Sequence, residues 1–107
     1  MSEHFSVHLT RSVEDDIEEM KLHREKIVKE LLCLEEDPYK GHPLRGALKG
    51  LRSMEFSLPG GACRAVYGIK KKERVCLLII VGYHKEIYER AERRVKSLRQ
   101  QKVLEDI

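Results

Sequence analysis

The chain has 107 residues, 41% hydrophobic and 36% charged, with three prolines and a net charge of +3. That suits one compact domain with its own core and excludes a disordered chain. The longest apolar run, Val75–Val81, is seven residues, against the roughly 20 a membrane span needs. MSEHFSVHLT lacks a cationic segment leading into an apolar one, so neither a signal peptide nor a membrane role is expected, and the cytoplasm is the expected location.

His4–Thr10 alternates, with Phe5, Val7 and Leu9 on one side and Ser6 and His8 on the other, and predicts a short strand. Ser12 is a candidate N-cap, with carboxylates at 14–16 where a helix N-terminus favours them. Val13, Ile17 and Met20 supply the apolar stripe of that helix. A second helix is expected from about Arg24, carrying Ile27, Val28, Leu31, Leu32 and Leu34, and ending at Pro38 and Gly41. Residues 1–37 hold eleven acids and five bases, a net −6, and residues 38–107 hold the opposite excess, +9. The acidic surplus reads as solvated helix faces, and the basic part suggests a polyanionic partner.

HPLRGALKGLR follows, within a stretch from Pro38 to Met54 that contains no Asp or Glu. Leu51–Leu58 and Ala62–Ile69 read as strands around the LPGG turn, and Val75–Val81, apolar on both faces, reads as a central strand closed by Gly82. A last amphipathic helix is expected from near Lys85, with Ile87, Ala91, Val95 and Leu98 on one face and a frayed end over 99–107. The order β-α-α-β-β-β-α is that of an α+β domain, an antiparallel three-stranded meander plus an N-terminal strand packed with helices.

Arg64 follows the PGG turn, and His84 and Tyr88 are four residues apart near the start of the last helix. If residues 84–88 are helical, the two share a side, and the meander brings Arg64 toward them. An Arg, a His and a Tyr so gathered bind phosphate and move protons. The plainer alternatives are an Arg64–Glu55 ion pair and a core role for Tyr88. Cys33, Cys63 and Cys76 form no CxxC pair and read as reduced thiols, and no Cys/His set has zinc spacing. Neither a P-loop nor a nucleophile elbow is present.

The strand order, HPLRGALKGLR, CRAVYGI and VGYHKEIY together resemble the RelE/ParE superfamily of toxins from bacterial and archaeal toxin–antitoxin pairs, over about residues 4–98. The resemblance implies the RelE-like fold and a cognate antitoxin that wraps and blocks the toxin. For the RelE kind it implies an endoribonuclease that enters the ribosomal A site and cuts mRNA, with neither metal nor cofactor. The ParE branch instead poisons DNA gyrase, and a non-cutting binding protein is a further alternative. Arg64 matches the arginine that holds the scissile phosphate, and Tyr88 matches the aromatic of the C-terminal segment. His84 and His42 match histidines of the YafQ branch. Arg45, Lys49, Arg52 and Lys85 would contact RNA phosphates, and Tyr83 would stack on a base.

Ser53 and Glu55 stand where RelE has lysines, and YafQ has a histidine at the Glu55 position. Glu55 is therefore either a general base or the mark of a protein that no longer cuts. Under the resemblance His84 is the expected acid, because a free imidazole titrates near about 6.5. Tyr88, Glu55 and His42 all stay open as the base.

Overall fold

The computed structural model describes residues 4–84 and 86–107. Five strands, β1 (Ser6–Leu9), β2 (His42–Pro43), β3 (Leu51–Leu58), β4 (Gly61–Lys70) and β5 (Val75–Tyr83), form one sheet in the order β1-β5-β4-β3-β2. The helices are α1 (Arg11–Glu19), α2 (Arg24–Leu32) and α3 (Ile87–Gln100). β3, β4 and β5 form the expected antiparallel meander, and β1 returns parallel to β5. Both faces of the sheet are covered. Val13, Ile17, Ile27 and Leu31 of α1 and α2 pack with Met54, Phe56, Cys63, Tyr67 and Leu78, while Ile87, Ala91 and Val95 of α3 pack with Leu51, Val66, Ile79 and Ile80. β5 therefore needs apolar residues on both sides, which is why Val75–Val81 is an unbroken run.

Several boundaries differ from expectation, each for a tertiary reason. Thr10, not Ser12, caps α1: its hydroxyl accepts from Val13 N (3.4 Å) and donates to the Leu78 carbonyl (3.0 Å). The helix thus starts where β1 leaves the sheet. Gly82 does not close β5, because it pairs with Arg64 and the strand continues to Tyr83. α3 starts at Ile87, since Glu86 adopts a left-handed φ of 60°. His84 consequently precedes the helix, and the expectation that it shares a helical side with Tyr88 does not hold. Lys85 lies outside the described residues.

Nor does the segment expected to fray over 99–107 do so. α3 runs to Gln100, Leu104 is buried, and Val103 and Ile107 pack against the α3 cluster. A β-carbon on Gly68 would sit 2.5 Å from Ile107 Cδ1, so glycine there admits the segment to the sheet.

One acid of the supposedly solvated α1 turns inward. Asp16 is buried and accepts from Val81 N (3.0 Å) and from both terminal nitrogens of Arg94 (2.6 and 2.7 Å). β4 and β5 shift register at Val66/Tyr67, so that Ile79 bulges and joins Ile80 in the α3 cluster. Arg94 also donates to the Ile79 carbonyl (3.1 Å). The pair satisfies backbone groups at the bulge, beyond the stretch where β1 covers β5.

Cys63 and Cys76 are buried and Cys33 is exposed. Burial pushes each of the two interior thiols up to about 11. A maleimide applied near neutral pH should therefore label Cys33 alone in the folded protein and all three after denaturation. The folded thiols hold their protons more tightly than the unfolded ones. Their contribution to stability is intact below about 9 and falls as pH rises toward about 11.

Candidate functional site

Strand alternation decides which polar groups meet. β3 and β4 pair Glu55 with Arg64, and β4 and β5 pair Arg64 with Gly82, so the three form one row across the α3 side of the sheet. Ser53 lies on the same side, two residues along β3. Tyr88, in the first turn of α3, comes down onto this row. Arg64 Nη1 donates to the Tyr88 hydroxyl, Arg64 Nη2 lies 2.8 Å from Glu55 Oε2, and the guanidinium carbon is 5.5 Å from the Tyr88 ring centroid. The Tyr88 hydroxyl is also 3.2 Å from Ser53 Oγ.

The Arg64 side chain is 19% exposed and Glu55 is 50% exposed, whereas Ser53 is fully buried. Burial acts to lower the pKa of Arg64, but Tyr88 and Glu55 outweigh it and raise the value. The guanidinium is a permanent cation. Its Nε is buried without an acceptor among the described residues, so this side chain is only partly satisfied by its protein partners. A cation with a hydroxyl and a carboxylate each one hydrogen bond from it can hold an anion and exchange protons beside it.

His42 stands directly across from Ser53 in the β2–β3 ladder and so belongs to the same side of the sheet. It lines a shallow groove of about 360 Å³ with Lys40, Pro43, Arg52, Ser53 and Glu55. His84 is exposed, and its backbone N–H donates to the Ala62 carbonyl (3.1 Å). The β4–β5 register, extended one residue past the Cys63–Tyr83 pair, sets it opposite Ala62 and so on the Arg64 side. Tyr83 pairs with Cys63 and so lies on the other side, with its hydroxyl donating to the Pro59 carbonyl (3.0 Å) and its ring over Gly60. Arg45 and Lys49 flank the Gly46–Leu48 turn with exposed side chains.

Arg52 is committed elsewhere. It pairs with Tyr67 on the α1–α2 side, donates through Nε to the Gly41 carbonyl (2.9 Å) and through Nη2 to the Tyr39 carbonyl (3.2 Å), and lies 5.3 Å from the Tyr39 ring centroid. The structure thus joins Arg64, Tyr88 and Glu55 directly and sets His42 alongside. Ser53 is the group that sequence reasoning did not give a role, although its place between Leu51 and Glu55 on an alternating strand already put it on this side.

What holds His42 in place is a buried tyrosine. The Tyr67 hydroxyl donates to the Pro38 carbonyl (2.7 Å) and accepts from Gly41 N (3.0 Å). Burial raises its pKa, against the opposing effects of Gly41 and Arg52, so the phenol is neutral and able to donate. Gly41 fits because it has no side chain: a β-carbon would lie 2.6 Å from the Ser53 carbonyl oxygen and 2.9 Å from the Tyr67 hydroxyl. Tyr67→Phe should leave two backbone groups unpaired and cost about 1–3 kcal/mol, read as a lower midpoint in denaturant unfolding.

A protein-family model, the ParE-like toxin of type II bacterial toxin-antitoxin system, matches residues 7–92. The chain belongs to this toxin family. Among solved structures, the toxin–antitoxin complex RelBE2 from Mycobacterium tuberculosis is 20% identical with a TM-score of 0.68, over 76% of this chain and 99% of that one. A mutant of the E. coli toxin RelE in the free state is 22% identical with a TM-score of 0.60, over 86% and 98%. YafQ from E. coli is 18% identical with a TM-score of 0.53, over 78% and 98%. No curated protein sequence matches. These likenesses place the toxin in the RelE/ParE superfamily and show that its α+β architecture is the RelE-like fold. No helix among the described residues is long and apolar enough to cross a membrane.

Proposed function

We propose that this toxin is an endoribonuclease that cuts mRNA at the ribosomal A site, acts in the cytoplasm, and is held in check by a cognate antitoxin. The observation that carries the reading is the cluster in which Arg64 contacts both Tyr88 and Glu55. Cleavage through the substrate's own 2′-hydroxyl needs a base for that proton, an acid for the leaving 5′-oxygen and a cation for the phosphorane charge. All three roles are covered by side chains, so the reaction needs neither metal nor cofactor.

Arg64 binds the non-bridging oxygens of the scissile phosphate. Glu55, half exposed and beside the guanidinium, takes the 2′-hydroxyl proton, with His42 next in line on the same side of the sheet. Tyr88 orients Arg64 and the phosphate. His84, at the end of β5, gives a proton to the leaving oxygen. Lys49, Arg45 and Lys85 add cationic attraction for the RNA backbone, while Arg52 acts by shaping the loop.

The Glu55–Arg64 ion pair also favours a second reading, a RelE-fold protein that binds a partner without cutting, because the carboxylate neutralises the phosphate-binding cation. Expressing the chain alone in bacteria and mapping mRNA 5′ ends separates the two. New ends within translated frames, absent with Arg64→Ala and with His84→Ala, are expected. Folded wild-type protein that generates no ends supports the second reading. Growth arrest with intact mRNA and damaged DNA would point to gyrase.

A further inference from the structure

Tyr39 is half exposed, belongs to neither apolar cluster, and sits in the carboxylate-free stretch from Pro38 to Met54. Its backbone is nonetheless firmly held. The carbonyls of Pro38, Tyr39 and Gly41 accept from Tyr67 or Arg52, and the amide of Gly41 donates to the Tyr67 hydroxyl. Arg52 also faces the ring, at 5.3 Å from its centroid. Five polar contacts and a glycine at close approach thus fix an aromatic ring at the surface, where it gains little from burial. Beside it a cleft of about 390 Å³ is lined by Pro43, Leu51, Arg52, Ile69 and Lys71, together with Asp106 and Ile107.

This cleft continues the groove beside the Arg64 cluster, because Pro43 and Arg52 line both. Glu55 marks one end and Leu51 the other, four residues apart on β3, or roughly 13 Å at about 3.3 Å per residue. Lys40 and His42 line the groove and Lys71 the cleft, against one carboxylate in each, Glu55 and Asp106. Cations along a groove that ends at a rigid, cation-backed aromatic ring are what a single strand of nucleic acid uses, backbone on the charges and base on the ring.

We propose that Tyr39 is a stacking platform for a base of single-stranded RNA near the cut, a site separate from the Arg64 cluster and linked to it by the groove along β2 and β3. The proposal rests on the ribonuclease reading above. It assigns Arg52 a positioning role, since this side chain holds the ring and its backbone.

The test is cleavage of mRNA on programmed ribosomes, with a single abasic nucleotide moved through the positions flanking the cut. Tyr39→Leu should lower kcat/KM about tenfold or more with an unchanged unfolding midpoint, and Tyr39→Phe should recover most of the loss because a phenyl ring still stacks. At one abasic position Tyr39→Leu should cost nothing further, which a merely structural role would not produce. Wild-type cleavage rates in Tyr39→Leu, or an equal loss at every abasic position, would overturn the proposal. So would normal cleavage combined with weakened antitoxin binding, which would assign the ring to a protein partner. If the wild type, like Arg64→Ala, cuts nothing, the ribonuclease reading falls and the stacking site with it.

Discussion

Arg64→Ala is expected to slow mRNA cleavage by about 10²–10³-fold or more, the cost of removing a donor that stabilises developing anionic charge. The guanidinium sits one-fifth exposed between Tyr88 and Glu55, permanently charged, with its buried Nε–H lacking an acceptor among the described residues. It is held in position before substrate arrives, and a phosphate meeting it need not reorganise the site. Stability should change far less than activity, so denaturant unfolding of the same variant separates loss of chemistry from loss of fold. The companion variant Glu55→Gln decides what the carboxylate does. As the base, its loss costs about 10²–10⁴-fold. If it only neutralises Arg64, Glu55→Gln leaves cleavage intact or raises it.

The largest effect on stability is expected at Asp16→Ala, away from the Arg64 cluster. Asp16 is 4% exposed, pairs with Arg94 through both oxygens and accepts from Val81 N. Arg90 approaches the same carboxylate at 3.7 Å. Removing the acid strands the partly buried Arg94 and the Val81 amide at the β5 bulge, which should cost about 3–5 kcal/mol. Equilibrium unfolding in urea would measure it. A loss under about 1 kcal/mol would put Asp16 with the exposed ion pairs, whose worth is small.

Asp16 also shows where reading the sequence stops. It lies in EDDIEE, five acids in six residues that by type are alike, and its partner is 78 positions away. Composition could not single it out. Likewise Ser12 is by type a better cap than Thr10, and it is the long-range bond from Thr10 to Leu78 that favours Thr10. Glu86 has no intrinsic preference for a left-handed φ, so the late start of α3, and with it the place of His84, was not legible. The two-residue β2 depends on Tyr67 reaching the loop from the middle of the sheet.

Where neighbours along the chain suffice, the reading was direct. Leu51–Leu58 has the bounds expected for it, and the doubly apolar Val75–Val81 is the core of the strand buried under both helical layers. The plain expectation of an Arg64–Glu55 ion pair is met too, and it stands inside the same cluster as Tyr88 rather than in competition with it. For the basic stretch the sequence supplied the charge but not the arrangement. Arg52 faces inward to build the loop, and Tyr39, which no motif marked, is the ring that loop displays.

The most direct test of the account is the chemistry of the RNA ends made by purified toxin on mRNA-programmed ribosomes. Attack by the 2′-hydroxyl predicts a 2′,3′-cyclic phosphate on one fragment and a 5′-hydroxyl on the other, with no cut where the scissile nucleotide is 2′-deoxy. Fragments ending in 3′-hydroxyl and 5′-phosphate, or cutting that ignores the 2′-deoxy substitution, would contradict it.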